Sequence, residues 1–356
     1  ERKKACSMDF ALNDEQQMLQ DSARRFFAER HPLSRARQAL PWSDEAQRGL
    51  WSDMADMGWL ALLVPEAHDG LGLGLCEAFL VGEAAGRQLL NLPLATSAVL
   101  LPLLLRESTQ ADATLVGWVG DIATGQSAFA ATLEPCAQRD HAGQCSHPLR
   151  VQGLQGLQGL HDSTQPLRLA LDQRAAQQEN APLDPTVRQS RIATHDAPAD
   201  WITLDVNAEG RALALAGYRQ SQVAQLLGAA ATALDMACAY AREREQFGKP
   251  IGSYQGIKHQ LASAWMALDN ARLSALYAAA ALDGRLPDWR FGCAAAELTA
   301  IEGAQQVAHA NLQVHGGIGF TWEHDAHLVL KRVQHLAARL GGAGQALAQV
   351  EALALA

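Results

Sequence analysis

The feature that most constrains this chain is an alanine-rich helical pattern filling its last third. Val223, Leu226, Leu227, Ala230, Leu234 and Ala237 recur at helical spacing, and Ile257, Leu261, Ala264, Leu268, Ala271 and Ala275 form a second stripe. Alanine at so many of these positions lets helix axes approach closely, which predicts a helix bundle. Near the start, Asn13 or Asp14 is placed to cap a helix carrying Met18, Leu19, Ala23, Phe26 and Phe27 on one face. A helix around Leu50, Met54 and Met57 should stop at Gly58, and another should cover 75–90. Between these regions the texture changes. From about 116 to 215, β-rich runs at 129–132, 168–171 and 201–206 alternate with turn-forming Pro, Asp, Asn and Gly. The order is helical, then β, then helical. A triplet repeat, GLQGLQGL over 153–160, is too short to stack as a solenoid and reads as a loop or a drifted strand.

A length of 356 residues allows two or three domains, because single cores stop growing near ~250–300 residues. Acidic residues outnumber basic ones, 38 to 29, and the net charge of −9 argues against a nucleic-acid partner. The apolar stretch 92–105 is shorter than the ~20 residues of a membrane span and contains Pro93 and Pro102, so a buried helix pair with a turn is expected, and no membrane partner. Six scattered cysteines show neither a C-x-x-C pair nor zinc-type His spacing. They read as ordinary thiols of a reducing, cytoplasmic setting, with no metal site. The leading ERKKACS is too short and polar for a secretory signal and reads as an upstream extension or a cloning remnant.

Two motifs carry chemistry. In YAREREQFGKPIGSYQGIKHQLA (240–262), a helix should stop near Phe247 and Gly248, since Pro250 prevents continuation. That gathers Arg244, Phe247 and Gln255 at one turn: a cation, an aromatic edge and an amide, which suit a pyrophosphate and a planar ring. An ordinary helix hairpin with a surface arginine is the competing reading. In QVHGGIGFTWEHDAHLVLKR (313–332), Gly316 and Gly317 follow a helix and allow a backbone to approach a phosphate or adenosine closely.

Together these motifs resemble the acyl-CoA dehydrogenase family, as do EQQMLQDSARRFFAE and LWSDMADMGWLALLVPEAHDGLGLGLCEAFLVGEAAGR upstream. The resemblance covers about 11–105 and 212–335. It implies a mostly α fold with an N-terminal helical domain (8–115), a barrel-like or sandwich β-domain (116–215) and a C-terminal four-helix bundle (216–356), assembled as dimers of dimers. It also implies FAD held between the β-domain of one subunit and the bundle of its neighbour. Arg244, Phe247, Gln255, Gln313, Gly316 and Gly317 fall on the neighbour's share of that contact, and Arg219 on the bundle arginine near the substrate. The implied partners are an acyl-CoA, a second subunit and an electron-accepting flavoprotein.

The sequence departs from the family where the chemistry is done. Desaturation needs a glutamate to take the α-proton while hydride leaves to the flavin, and the family supplies it from two chain positions. Those positions hold Tyr218 and Leu340, and Glu323 is too close to the glycine pair to be either. The flavin loop reads LEPCAQRD, with Leu133 for a threonine and Arg139 for a serine, although Glu134 and Pro135 remain. The tryptophan expected on the next strand is absent, and Asp140 is the carboxylate left nearby. The pattern is asymmetric: the part serving a neighbour's FAD is intact, and the part holding its own is worn. It points to a non-catalytic subunit beside a paralogous partner, as in α2β2 relatives that desaturate bulky CoA thioesters such as steroid side-chain intermediates. A self-sufficient homo-oligomer with another base, and a flavin-free CoA-ester-binding scaffold, are the alternatives.

Overall fold

The structure, a computed structural model, describes residues 11–133, 138–141, 144–154, 166–172, 178–180, 182–191 and 200–355. The leading tail, Glu134 and Pro135 of the flavin loop, the repeat beyond 154 and the stretch 161–165 lie outside the described residues.

Helix α1 (Asp14–Arg30) opens at Asn13, whose side chain accepts from the Gln16 N–H while the Gln16 amide accepts from the Asn13 N–H. This reciprocal cap satisfies two backbone donors that the first turn leaves free. A single turn, α2 (Leu33–Ala36), leads to α3 (Glu45–Asp56), which ends before Gly58 with φ +76° as expected. Helix α4 (Leu75–Arg87) is capped from across the molecule, where the Asp283 carboxylate accepts from the Leu75 and Cys76 N–H groups.

The apolar stretch 92–105 is one helix rather than the expected pair. A π-helical segment, Ala95–Leu100, runs directly into α5 (Leu101–Glu107). Pro102 has no N–H and its ring crowds the carbonyl four residues back. The wider turn before it, with Leu101 N–H donating to the Thr96 carbonyl, accommodates that conflict without a break. Helix α6 (Ala113–Ala123) follows, capped by Asp112.

The strands lie within 129–204, so the helical ends of the region 116–215 belong to α6 and to the next long helix. Strands β1 (Phe129–Leu133), β3 (His147–Gln152), β4 (Leu167–Leu171) and β7 (Ile202–Leu204) form a sheet in that order, and only β1 and β3 run parallel. Strands β2 (Gln138–Asp140), β6 (Gln189–Arg191) and β5 (Gln178–Asn180) form a second, antiparallel sheet. Ser97 joins the π-helical segment to the first sheet, accepting from the Phe129 N–H (2.8 Å) and donating to its carbonyl (3.1 Å).

The bundle consists of α7 (Ala208–Glu243), α8 (Gln255–Asp283), α9 (Trp289–His315), α10 (Ala326–Arg339) and α11 (Gly342–Ala354). All of the first expected stripe is buried or nearly so, as are Ala264, Leu268, Ala271 and Ala275 of the second. Helix α7 is long and apolar enough to cross a membrane, but it is the core helix, with 67% of its most apolar window buried. A helix apolar on all sides needs neighbours on all sides. One of them is α4. A Cβ added to Gly86 would meet the Gln225 backbone, and one added to Gly228 would meet the Glu83 carbonyl, so the two helices cross backbone against backbone.

Candidate functional site

Two places gather the residues singled out above. The first is the end of the bundle. Helix α7 gives way to extended backbone at Arg244, and a two-residue hairpin follows: β8 (Glu245–Gln246) pairs with β9 (Lys249–Pro250). Its central residues, Phe247 and Gly248, have φ of +54° and +78°. Positive φ at both positions matches the twist of paired strands, and a phenylalanine there is strained. The Tyr254 hydroxyl, donating to the Gln246 carbonyl (3.0 Å), and the Lys249 ammonium over the Tyr254 ring hold the turn. Phe247 is 94% exposed.

The second motif meets the first through a small apolar cluster of Ala237, Ala241 and Val314. Above it the Tyr240 ring stacks on His315 at 4.4 Å. Burial lowers the His315 pKa, which keeps the ring neutral for this contact, and Nδ1 donates to the Asn311 carbonyl. Helix α9 then ends at Gly316, with φ +64° and ψ −140°, a conformation only glycine adopts readily. Arg244, Phe247, Gln255, Gln313, Gly316 and Gly317 are therefore exposed at the same end of the bundle. The side chains of Arg244, Gln255 and Gln313 have no hydrogen-bond partner among the described residues. A bare guanidinium, amides, an exposed ring and open backbone beside two glycines can bind an anion attached to a flat group.

The second place is a cavity of about 40 Å³ between the bundle and the sheets. Helix α7 turns Tyr218, Gln222 and Gln225 into it, positions one turn apart along one face. Helix α10 turns His335 and Arg339 into it from the other side, with Arg332 one turn earlier. Asp140 closes it from the end of β2. The Asp140 carboxylate accepts from His335 Nε2 (3.0 Å) and from the Gln189 amide (2.8 Å), and pairs with Arg339 Nε at 3.1 Å. Burial works against its charge, but Arg339 and His335 hold it well below the usual carboxylate range. Deeper in, Arg332 is 1% exposed and pairs with Asp184 while donating to Thr186 and to the carbonyls of Leu89 and Leu90. Beside the cavity, burial pushes His141 down to about 4.

Of the two residues at the expected base positions, only Tyr218 is in the lining. Leu340 follows Arg339 at the end of α10, fully buried. Arg219 does not line the cavity. Its guanidinium makes a two-point contact with Glu297 on α9, Nε to Oε1 at 2.7 Å and Nη2 to Oε2 at 2.5 Å, and also donates to the Leu340 carbonyl at 2.8 Å. Burial disfavours its charge, but Glu297 more than offsets this and raises its pKa. Glu323 is exposed and remote from the cavity wall. Sequence reasoning missed Glu297, Gln222, Gln225, His335 and Arg339. The polar spacings 218/222/225 and 332/335/339 were the available signal.

Family models match on both sides of the strand region: "Acyl-CoA dehydrogenase, N-terminal domain" over residues 13–113 and "Acyl-CoA dehydrogenase, C-terminal domain" over 212–354. The chain belongs to the acyl-CoA dehydrogenase family. It is similar to acyl-CoA dehydrogenase IpdE2 of Mycobacterium tuberculosis, 29% identical over 95% of this chain and 96% of that one. Among solved structures, a chain of the ChsE4–ChsE5 complex from M. tuberculosis matches with a TM-score of 0.78 at 23% identity, over 97% of this chain and 98% of the other. Butyryl-CoA dehydrogenase from Megasphaera elsdenii matches with a TM-score of 0.78 at 18% identity, over 98% of this chain and all of the other.

Proposed function

We propose that this chain is a subunit of a hetero-oligomeric acyl-CoA dehydrogenase, completing a partner subunit's FAD site without supplying the base for desaturation. The observation that carries this is the cavity wall. The family's two glutamate positions hold Tyr218 and Leu340, and Asp140, the one carboxylate among the described lining residues, is tied to Arg339 and His335. A carboxylate held so far below its ordinary pKa is a weak base. Usual ligand sites enclose ~300–1,000 Å³; the cavity among the described residues encloses about 40 Å³.

The bundle end fits FAD well. Arg244 would hold the pyrophosphate, Phe247 and Gln255 would bracket the turn beside it, and Gln313, Gly316 and Gly317 would let the backbone approach the adenosine half. FAD, when bound, supplies the hydride acceptor for a partner's acyl-CoA. A neighbour in fold that is itself a ChsE4–ChsE5 complex supports a two-component assembly. The substrate in this reading is an acyl-CoA thioester of fatty-acid or steroid catabolism, with an electron-accepting flavoprotein downstream and a cytoplasmic location.

The test is to purify the chain alone and co-expressed with its most similar genomic neighbour, and to measure FAD per protomer by absorbance. Occupancy near one half, only in the complex, is expected; full occupancy in the chain alone would overturn the proposal. One observation favours a second reading, a self-sufficient enzyme: His335, oriented by Asp140, is a group in the cavity that can take a proton. That reading requires the chain alone to be yellow and to reduce an acceptor with an acyl-CoA.

A further inference from the structure

The cavity contains two polar groups that the fold itself does not use. Gln222 and Gln225 are 8% and 6% exposed, and both line the cavity. Neither amide has a hydrogen-bond partner among the described residues. Their amide atoms keep contact with solvent through the cavity, so a group bound there would replace water as their partner. They project from α7, among the buried Val223, Leu226 and Leu227, in a stripe continued by Tyr218. Opposite them stand His335 and Arg339, and Thr96 forms part of the wall between.

We propose that this cavity recognises an oxygen-bearing acyl group, selecting acyl-CoA thioesters with a hydroxyl or keto oxygen over unsubstituted ones. Each amide offers one donor and one acceptor side, which matches a hydroxyl or carbonyl oxygen and has nothing to offer a methylene. The guanidinium groups in the wall are already matched, Arg339 by Asp140 and Arg332 by Asp184, so the lining calls for a neutral polar group. A volume of about 40 Å³ is small against the ~300–1,000 Å³ of whole-ligand sites, which suits one small polar group. A site built to hydrogen-bond such an oxygen rejects the analogue lacking it, because the amides are then left unpaired. The proposal goes beyond the subunit reading, in which the reacting acyl-CoA is the partner's, by giving this chain an acyl-binding pocket of its own.

The test is calorimetric titration of the full chain, alone and in its co-expressed complex, with 3-hydroxybutyryl-CoA, acetoacetyl-CoA and butyryl-CoA. The oxygenated thioesters should bind about tenfold more tightly or better, the worth of one good hydrogen bond. Gln222→Leu combined with Gln225→Leu should bring the ratio to about one, while FAD per complex stays unchanged. Gln222→Asn, which keeps the amide but withdraws it, should lower the preference several-fold and serves if the double variant does not fold. Substitutions are confined to this chain, so a partner's pocket is common to every arm. A ratio near one in the unaltered protein, a preference that survives the double variant, or no binding of either class would overturn the proposal. Flavin content is read separately, so failure of the subunit assignment shows up as full FAD in the chain alone and leaves the binding ratio interpretable.

Discussion

The bundle end and the cavity region use arginine in opposite ways. At the bundle end, the exposed Arg244 side chain has no hydrogen-bond partner among the described residues and stands beside a strained aromatic turn and an open glycine pair. Around the cavity, Arg219, Arg332 and Arg339 each meet a carboxylate of the same chain, and Arg332 is satisfied on every side. Unpaired polar groups at a surface cost little and remain available to a ligand; paired ones inside hold the fold together and are not available. The difference separates a part of the molecule that waits for something external from a part that has closed on itself.

That contrast can be broken first with Arg332→Ala. It leaves the Asp184 charge buried and uncompensated, so unfolding in denaturant should show a loss of about 3–5 kcal/mol, whereas Arg244→Ala should stay within about 0.5 kcal/mol. Similar losses for both would erase the distinction. The roles reverse for cofactor retention: in the co-expressed complex, Arg244→Ala should weaken FAD by about tenfold or more, the range of a charge-assisted hydrogen bond, read by equilibrium dialysis.

A smaller effect comes from pH. His31 is fully buried, and burial lowers it to about 3; His141 is lowered to about 4. Both sit on the Arg332 side of the molecule and stay neutral in the fold at pH values where the unfolded chain, with pKa near ~6.5, takes up protons. Their contribution is present above that value. It is lost as pH falls from ~6.5 toward 4, at roughly 1 kcal/mol per unit for each group. His31→Leu should reduce the slope of stability between pH 7 and 5, and an unchanged slope would remove this histidine from the account. The smallest change expected is Gly317→Ala. A Cβ there meets nothing within 4 Å, so stability should not move by more than about 0.5 kcal/mol while FAD retention falls. At Gly316 the positive φ makes the same substitution cost about 1–3 kcal/mol of stability.

Local signals in the sequence carried much of this. Asn13 capped its helix, Gly58 ended another, and Phe247, Gly248 and Pro250 marked the turn, because caps and turns depend on residues a few places apart. The strands near 129, 168 and 202 were legible for the same reason. The cavity was not. Asp140 and His335 are 195 positions apart, and Arg219 and Glu297 are 78 apart, so no window along the chain contains either pair. Gln222 and Gln225 were hidden in a different way: Val223, Leu226 and Leu227 dominate the same turns and read as core, which they are. The single helix over 95–107 escaped because Pro102 suggested a break, and only its packed surroundings favour a π turn instead.

The crossing at Gly86 and Gly228 has a consequence for motion. Two helices in backbone contact cannot slide or rotate without separating, so α4 and α7 are expected to move as one unit. Amides of 82–86 and 224–228 should then be among the slowest to exchange with solvent deuterium. Since Gln225 is part of that unit, its cavity wall stays fixed to α4.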